Sequence, residues 1–191
     1  MRGRGKETRL RYAAQEMVER ELEKMGMAPP HAASAVTAAV ARRAGGIFIC
    51  GPAGAGKTTV AELVASHPGV VLLGDLRMRD EIAAALREAA RTVVVAVVRS
   101  GESLGLSARW QEMGVPQALI EGAQLTVVTL RRLPGLSSGT ACSRDLHVVE
   151  VIGPRGVLLS ASLAEEARAL VSAGLVTDEA ARLHVPGYAT A

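Results

Sequence analysis

The stretch GGIFICGPAGAGKTTVAELVASHPGVVLLGDLR occupies residues 45–77 and decides the fold. Its apolar run IFIC, at 47–50, is typical of a short buried strand. A glycine-rich loop follows at once, and a helical pattern then continues to the breaking sequence His67-Pro68-Gly69. A second apolar run, VVLL at 70–73, predicts another buried strand. The order strand, glycine loop, helix, strand indicates a βαβ unit.

The rest of the chain repeats this alternation. We predict helices over 8–25, 31–43, 57–66, 79–90, 103–113, 117–124, 162–173 and 177–183. We predict further strands over 92–98 and 124–133, and a terminal hairpin made by LHVVEVI and RGVLLSA on either side of Gly153-Pro154. Because the run at 92–98 is apolar on both faces, it should be central in a parallel sheet. The sequence predicts an α/β fold in which helices cover both faces of a mostly parallel sheet.

Length and composition limit the organisation of the chain. A chain of 191 residues suits one core, and we predict an N-terminal helical segment over 1–44 and an α/β core with the hairpin and last helices over 45–191. Hydrophobic residues make up 49% of the chain but aromatic residues only 2%, which suits an aliphatic sheet and poorly suits base stacking. The net charge of +3 comes largely from the start, MRGRGKETRLR, which we interpret as a solvated tail. We therefore do not expect a nucleic-acid partner.

Cysteine usage and hydropathy bear on the compartment. Cys50 and Cys142 form neither a CxxC pair nor a metal-binding spacing, which indicates a reducing environment. No apolar run reaches the roughly 18 residues that a membrane span needs. The basic start is not followed by the apolar segment of a signal peptide. We expect a cytoplasmic protein.

The glycine loop matches the complete phosphate-binding pattern GxxxxGK[ST], from Gly51 to Thr58. Glycines allow the loop to turn tightly and to bring backbone N–H groups onto phosphate oxygens, and the helix that follows directs its positive end at the same anion. Lys57 would neutralise the β- and γ-phosphates, and the Thr58 hydroxyl would ligate Mg²⁺. We predict that the chain binds a nucleotide with Mg²⁺ in a P-loop NTPase (RecA-like) fold with three αβα layers, and the motif does not choose between ATP and GTP. The predicted nucleotide-binding residues are Gly51, Pro52, Ala53, Gly54, Ala55, Gly56, Lys57, Thr58 and Thr59.

A second candidate site follows the strand VVLL. Asp75 comes after Gly74 at the end of that strand. Because the carboxyl ends of parallel strands line the ligand crevice, Asp75 could lie near Lys57 and the metal. We favour a site role for Asp75 over that of an ordinary solvated aspartate that caps the next segment.

The segments after this site resemble the motor ATPases of type II secretion and type IV pili. Those proteins carry a strand ending in Gly-Glu, an Ile-Arg-Asp segment, a strand ending in Thr-Leu-His, a helix ending in Met-Gly-Val, and a later Gln-Arg-Leu. The chain has GDLRMRDEIAAALREA, VVVAVVRSGES, ARWQEMGVPQALI and LTVVTLRRL in the same order, and the similarity spans residues 35–152. The resemblance implies ATP as the nucleotide, and Lys57 and Asp75 as the catalytic pair with Asp75 polarising the attacking water. It also implies a homo-oligomeric ring and a secretion or pilus membrane complex as partner.

The chain also departs from that family. Asp75 replaces the catalytic Glu of the family, and Arg99 replaces its His, which exchanges a titratable group for a permanent cation. A segment between the glycine loop and the second site, with arginines that act across the subunit interface, is missing. Because such arginines contribute about 10³–10⁵ in rate, we expect slow or absent hydrolysis.

Other polar residues receive weaker predictions. Arg77, Arg79 and Asp80 fall on the Ile-Arg-Asp segment, with a site role and a solvated helix start equally favoured. Arg109 falls on an arginine of the family in the helix before MGVP, and a surface position is equally favoured. The Arg131-Arg132 pair is interpreted as solvated, with a contact to the nucleotide or a neighbouring subunit as the alternative. We predict no site role for His67, His147 and His184, which lack metal-ligand spacing. Trp110 is expected in the core or at a subunit contact.

Two alternatives to a slow ATPase stay open. One is a non-enzymatic scaffold or regulator that changes shape when it binds a nucleotide, favoured by the substitutions at Asp75 and Arg99. The other is a small nucleotide kinase, because GPAGAGKTT followed by VAELVA also resembles the start of nucleoside monophosphate kinases. The region 99–116 lacks the arginine-rich lid that such kinases need.

Overall fold

The computed structural model describes residues 16–18, 20–22, 24, 30–101, 103, 105–136 and 145–189. Its strands are β1 (Gly45–Cys50), β2 (Val70–Leu76), β3 (Val93–Val98), β4 (Thr126–Leu133) and β5 (Leu146–Ile152). Its helices are α1 (Pro30–Val40), α2 (Lys57–Ala65), α3 (Arg79–Ala89), α4 (Leu106–Glu112), α5 (Gln117–Gly122), α6 (Leu163–Ser172) and α7 (Asp178–His184). The described residues between 16 and 24 are helical, whereas Cys142, the basic start and the rest of the helix predicted over 8–25 lie outside the described residues.

The strands form one five-stranded sheet in the order β2-β3-β1-β4-β5. The first four of these are parallel to their neighbours, and β5 runs antiparallel to β4. All six residues of β3 are buried, so the prediction of a central strand at 92–98 is confirmed. One apolar core, with α1 and α2, covers one face of the sheet. A second core, with α3, α4 and α5, covers the other face, so the three-layer α/β fold is confirmed.

The N-terminal helical residues share the first of these cores. Val18 and Leu22 are fully buried in the same cluster as Val36 of α1 and Ile47 of β1. The division of the chain at residue 44 stays a prediction. A third cluster joins α6 and α7 to the ends of β4 and β5. No helix among the described residues is both long and apolar enough to cross a membrane.

Two predicted strands differ from the structure. The run at 70–73 is not buried: β2 pairs only with β3 among the described strands, and Val71 and Leu72 are 40% and 44% exposed. The segment RGVLLSA does not form the second strand of a hairpin. After β5 the chain enters a 3₁₀ turn at Pro154–Gly156, in which Arg155 has a left-handed φ of 64°, and a single bridge joins Ile152 to Leu158. Proline and a left-handed residue in succession interrupt the pairing before a ladder can form.

Element ends also shift by a few residues. The helix predicted over 103–113 begins only at Leu106, after Gly105 with φ 79°. The strand predicted from 124 begins at Thr126, because Gln124 has a positive φ of 45°. The helix predicted over 31–43 begins at Pro30 and ends at Val40.

Candidate functional site

The phosphate loop runs from the end of β1 to the start of α2, as the motif predicts. Gly51 has φ 139°, and a Cβ at this position would lie 2.3 Å from the carbonyl oxygen of Leu130 on β4. Only glycine fits there, because a side chain would both strain the backbone and collide with the neighbouring strand. Gly54 and Gly56 also have left-handed φ values, of 79° and 83°. The loop therefore owes its course to the glycines of the motif.

The end of the loop presents backbone donors at the start of α2. Gly56 is the N-cap residue, and no side chain accepts a hydrogen bond from the first turn of this nine-residue helix. The first N–H groups of a helix have no partner within the helix, and together with the helix dipole they attract anions. Thr58 and Thr59, in that first turn, are exposed. The arrangement is that of an anion site open to solvent.

Lys57 folds back over this loop. Its ammonium donates to the carbonyl oxygens of Gly51 at 2.9 Å and Pro52 at 2.6 Å. The side chain is half-buried, so the charge is held at the rim of the loop by two neutral acceptors. A phosphate group is a stronger partner for an ammonium than a peptide carbonyl. The observed contacts place the Lys57 cation where a phosphate bound in the loop would meet it.

Asp75 lies at the carboxyl end of β2 and is paired with two arginines. Its Oδ2 accepts from Arg77 Nε at 3.0 Å and Nη2 at 2.9 Å, and from Arg99 Nε at 3.4 Å. Arg99 directly follows β3, which separates β2 from β1 in the sheet. Asp75 and the phosphate loop thus occupy the same end of the sheet, and among the described residues no hydrogen bond or ion pair joins Asp75 to Lys57.

These contacts decide what Asp75 can do chemically. An oxygen that accepts hydrogen bonds from two guanidinium groups is a poor acceptor for a further hydrogen bond from water, because its lone pairs are already engaged. The ion pairs are partly exposed, with side chains 36–64% accessible, so solvent screens them.

The remaining residues of the Arg77–Asp80 segment do not join the site. Arg79 donates to the carbonyl oxygen of Gly114, and the Asp80 side chain is 95% exposed. Glu81 accepts from the backbone N–H groups of Arg77 and Met78, and these hydrogen bonds lower its pKa. Of this segment only Arg77 contacts Asp75.

Trp110 lies in the core, one of the two positions expected for it, and Arg109 is a surface residue. Trp110 is buried, and its ring meets that of Phe48 edge-on at a centroid distance of 5.1 Å. Arg109 is exposed on α4.

The structure places one residue beside the loop for which the sequence predicts no site role. The Nε2 atom of His147, on β5, lies 3.6 Å from the position that a Cβ on Gly56 would take. Arg131, on β4, donates from Nη2 to the carbonyl oxygen of Gly101 at 2.5 Å, and its Nε is buried without a hydrogen-bond partner among the described residues. Motif spacing carries no signal for the place of His147, because it approaches the loop through the pairing of β4 with β5.

Cys50 ends β1 under the loop. Its thiol is 3.2 Å from the Thr129 hydroxyl, and burial raises its pKa. A thiol with a raised pKa is a weak nucleophile, so this residue belongs to the packing under the loop.

The residues present fit a nucleotide with its metal. The loop offers backbone N–H groups and the Lys57 ammonium to phosphate oxygens, and the exposed Thr58 hydroxyl is available as a metal ligand. The described residues contain no cluster of three or more His, Cys, Asp or Glu side chains able to hold a metal. Mg²⁺ usually keeps several waters and is bound through phosphates and one or two side chains, so such a cluster is not required.

Solved structures with the same architecture include two ATPases. The structure is similar to that of the Legionella pneumophila ATPase DotB, with a TM-score of 0.62 and 11% identity over 78% of this chain and 62% of DotB. It is also similar to the pilus retraction motor PilT with bound ADP, with a TM-score of 0.61 and 14% identity over 78% of this chain and 63% of PilT. No protein-family model matches the chain, and a comparison with curated proteins finds no match. The chain spans about three-fifths of each ATPase, and at these identities the likeness establishes the P-loop NTPase fold.

Proposed function

We propose that the chain binds ATP with Mg²⁺ at the Gly51–Thr59 loop and hydrolyses it slowly or not at all. The geometry of that loop carries the proposal: left-handed glycines shape it, an uncapped helix start faces its opening, and Lys57 lies across its carbonyl groups. Lys57 would bind the β- and γ-phosphates, and Thr58 would bind the metal. The likeness to PilT, whose structure contains ADP, supports a nucleotide as the ligand.

The contacts of Asp75 support weak hydrolysis. ATP hydrolysis needs a group that orients the water which attacks the γ-phosphate while ADP leaves. Asp75 is the acidic residue considered for this role, because it lies at the same end of the sheet as the loop. Its carboxylate is paired with Arg77 and Arg99. In this arrangement the site would bind the nucleotide but hydrolyse it slowly. The same observation favours the second candidate function, a scaffold or regulator controlled by nucleotide binding.

A homo-oligomer and a secretion or pilus complex are further parts of the proposal. They rest on the likeness in fold to DotB and to PilT, a pilus retraction motor. Size-exclusion chromatography with light scattering, with and without ATP, tests the oligomer directly. A monomer under both conditions would contradict it.

The central experiment measures binding and turnover together. Calorimetric titration of ATP in the presence of Mg²⁺ is compared between the unaltered chain and Lys57→Ala, with phosphate release followed in parallel for both and for Asp75→Ala. We expect binding by the unaltered chain, its loss in Lys57→Ala, and little phosphate release from any of them. Fast release that Asp75→Ala abolishes would show that Asp75 acts as the catalytic carboxylate despite its ion pairs. No binding by the unaltered chain would refute the proposed function.

A further inference from the structure

His147 lies against the phosphate loop on the side of β5. In the antiparallel pairing of β4 with β5, His147 is opposite Arg132, beyond the pair formed by Leu130 and Val149. Leu130 is the residue whose carbonyl oxygen approaches Gly51. The imidazole Nε2 reaches to 3.6 Å from the Cβ position of Gly56, the last residue before α2. The two strands therefore bring His147 to the wall of the loop.

The two sides of the loop are not equivalent. The sheet order places β3 and β2 on one side of β1; Arg99 follows the end of β3, and Asp75 lies at the end of β2. It places β4 and β5 on the other side, with His147 at the start of β5. In the proposed function the terminal phosphate lies toward Asp75. A bound nucleotide would then have its nucleoside on the opposite side, where β4 and β5 lie.

Ring side chains are scarce in this molecule. Phe48 and Trp110 pack on each other in the core, and the Tyr188 hydroxyl donates to Asp178. None of these three rings is available beside the loop. The half-buried imidazole of His147 is the ring that the described part of the chain places there.

We propose that His147 contacts the nucleoside of the bound nucleotide and so distinguishes a nucleotide from a bare polyphosphate. The inference rests on the proposed function. An imidazole has a flat face that packs on a base and ring nitrogens that hydrogen-bond to it. His147 is thus a specificity-determining residue. Lys57 and the backbone bind the phosphates, and His147 contacts the nucleoside, which inorganic polyphosphate lacks.

The test compares ATP with inorganic tripolyphosphate, which has the three phosphates and no nucleoside. Both ligands are titrated with Mg²⁺ into the whole chain and into three variants: His147→Ala, His147→Phe, which keeps a ring, and His184→Ala, an exposed histidine on α7 as control. We expect His147→Ala to weaken ATP about tenfold, within the range measured for stacking contacts, and to leave tripolyphosphate unchanged. His147→Phe should keep most of the ATP affinity, and His184→Ala should change neither ligand.

Each other outcome overturns the inference. Equal weakening of both ligands by His147→Ala would show that the residue supports the loop or the phosphates only. No weakening of either ligand would show that it does not contact the nucleotide. If the unaltered chain binds neither ligand, the proposed function itself fails, as it does if Lys57→Ala keeps its ATP affinity in the central experiment. Because retained tripolyphosphate binding shows an intact loop, a misfolded variant is recognised within the same experiment.

Discussion

Asp75, Arg77 and Arg99 form the contact that we expect to limit hydrolysis. Neutralising both arginines, by Arg77→Gln with Arg99→Gln, removes both ion pairs from Oδ2 of Asp75 and leaves this oxygen able to accept a hydrogen bond from water. A positioned acid–base group contributes roughly 10²–10⁴-fold to a rate. We expect phosphate release to rise toward the lower end of that range, because the aspartate is one methylene shorter than glutamate. Steady-state phosphate release at saturating ATP and Mg²⁺ measures the change.

The matched control for this variant is Arg109→Gln, which also removes an exposed arginine but lies on α4. It should leave turnover unchanged. Adding Asp75→Ala to the double variant should cancel the gain. If the double variant turns over no faster than the unaltered chain, the ion pairs do not limit hydrolysis, and the missing part of the machinery lies elsewhere.

Glu166 makes the stability of the protein depend on pH. This carboxyl is 5% exposed on α6, its Oε2 accepts from the N–H of Val149, and burial together with the charge of Glu150 raises its pKa to about 8. An ordinary glutamate has a pKa of 4.5. Between these two values the folded state keeps a proton that the unfolded state has lost. The free energy of unfolding should therefore fall as the pH rises through this window, by up to about 1.4 kcal/mol per pH unit.

Glu166→Gln provides the comparison. Glutamine keeps an oxygen that can accept from Val149 but does not titrate, so this contribution to the pH dependence should vanish. Urea unfolding of both proteins at several pH values between about 5 and 8.5 measures it. Parallel curves for the two proteins would show that Glu166 ionises in the folded state at its ordinary pKa.

Single residues were predictable from the sequence only where a motif carries them. The GxxxxGK[ST] pattern names every residue of the loop, and the loop glycines have the backbone angles that it requires. The partners of Asp75 follow from no spacing rule, since Arg99 reaches it from another strand. The place of His147, for which the sequence predicts no site role, could not be predicted for the same reason: its position beside Gly56 depends on the register of two strands that a sequence pattern does not give.

Helix α6 begins with a capping box that is encoded in its sequence. The Ser162 side chain accepts from the N–H of Glu165, and the Glu165 carboxylate accepts from the N–H of Ser162, which together make a capping box. Ser162→Ala removes the acceptor for the helix start, and we expect a loss of about 1 kcal/mol in unfolding free energy. Ser107→Ala, inside the exposed face of α4, is a control in which no cap is lost and little change is expected. Urea unfolding measures both, and equal effects would contradict the role of the cap.

The sequence predicted where most strands lie along the chain better than how far their side chains are buried. An apolar run such as VVLL reads the same whether its strand is central or at an edge, because periodicity reports the side chains and not the neighbours. The sheet order makes β2 an edge strand, and its apolar side chains are exposed as a result. The second half of the expected hairpin failed for a local reason, the left-handed Arg155 after Pro154.

The two edge strands of the sheet differ in whether their outward backbone groups have hydrogen-bond partners. Along β5, the outward N–H groups of Val149 and Val151 donate to Glu166 and Ser160, and Leu159 donates back to Val151. Side chains and the single bridge thus provide hydrogen-bond partners for the outward backbone groups of β5. Along β2 the described residues provide no such cover. An open edge with apolar side chains is a template for pairing with another chain.

We therefore expect the protein to self-associate through β2 as its concentration rises, and Leu72→Lys to weaken that association. Leu72 is 44% exposed near the middle of β2, so the lysine can reach water without unfolding the strand while its charge opposes edge-to-edge pairing. The control is Leu183→Lys on α7, where the leucine is 78% exposed and far from the ladder that β2 makes with β3. Sedimentation velocity over a range of concentrations should show a smaller shift toward larger species for Leu72→Lys alone. An equal effect of both variants would assign the association to general hydrophobicity, and no association of the unaltered protein would show that the β2 edge is protected.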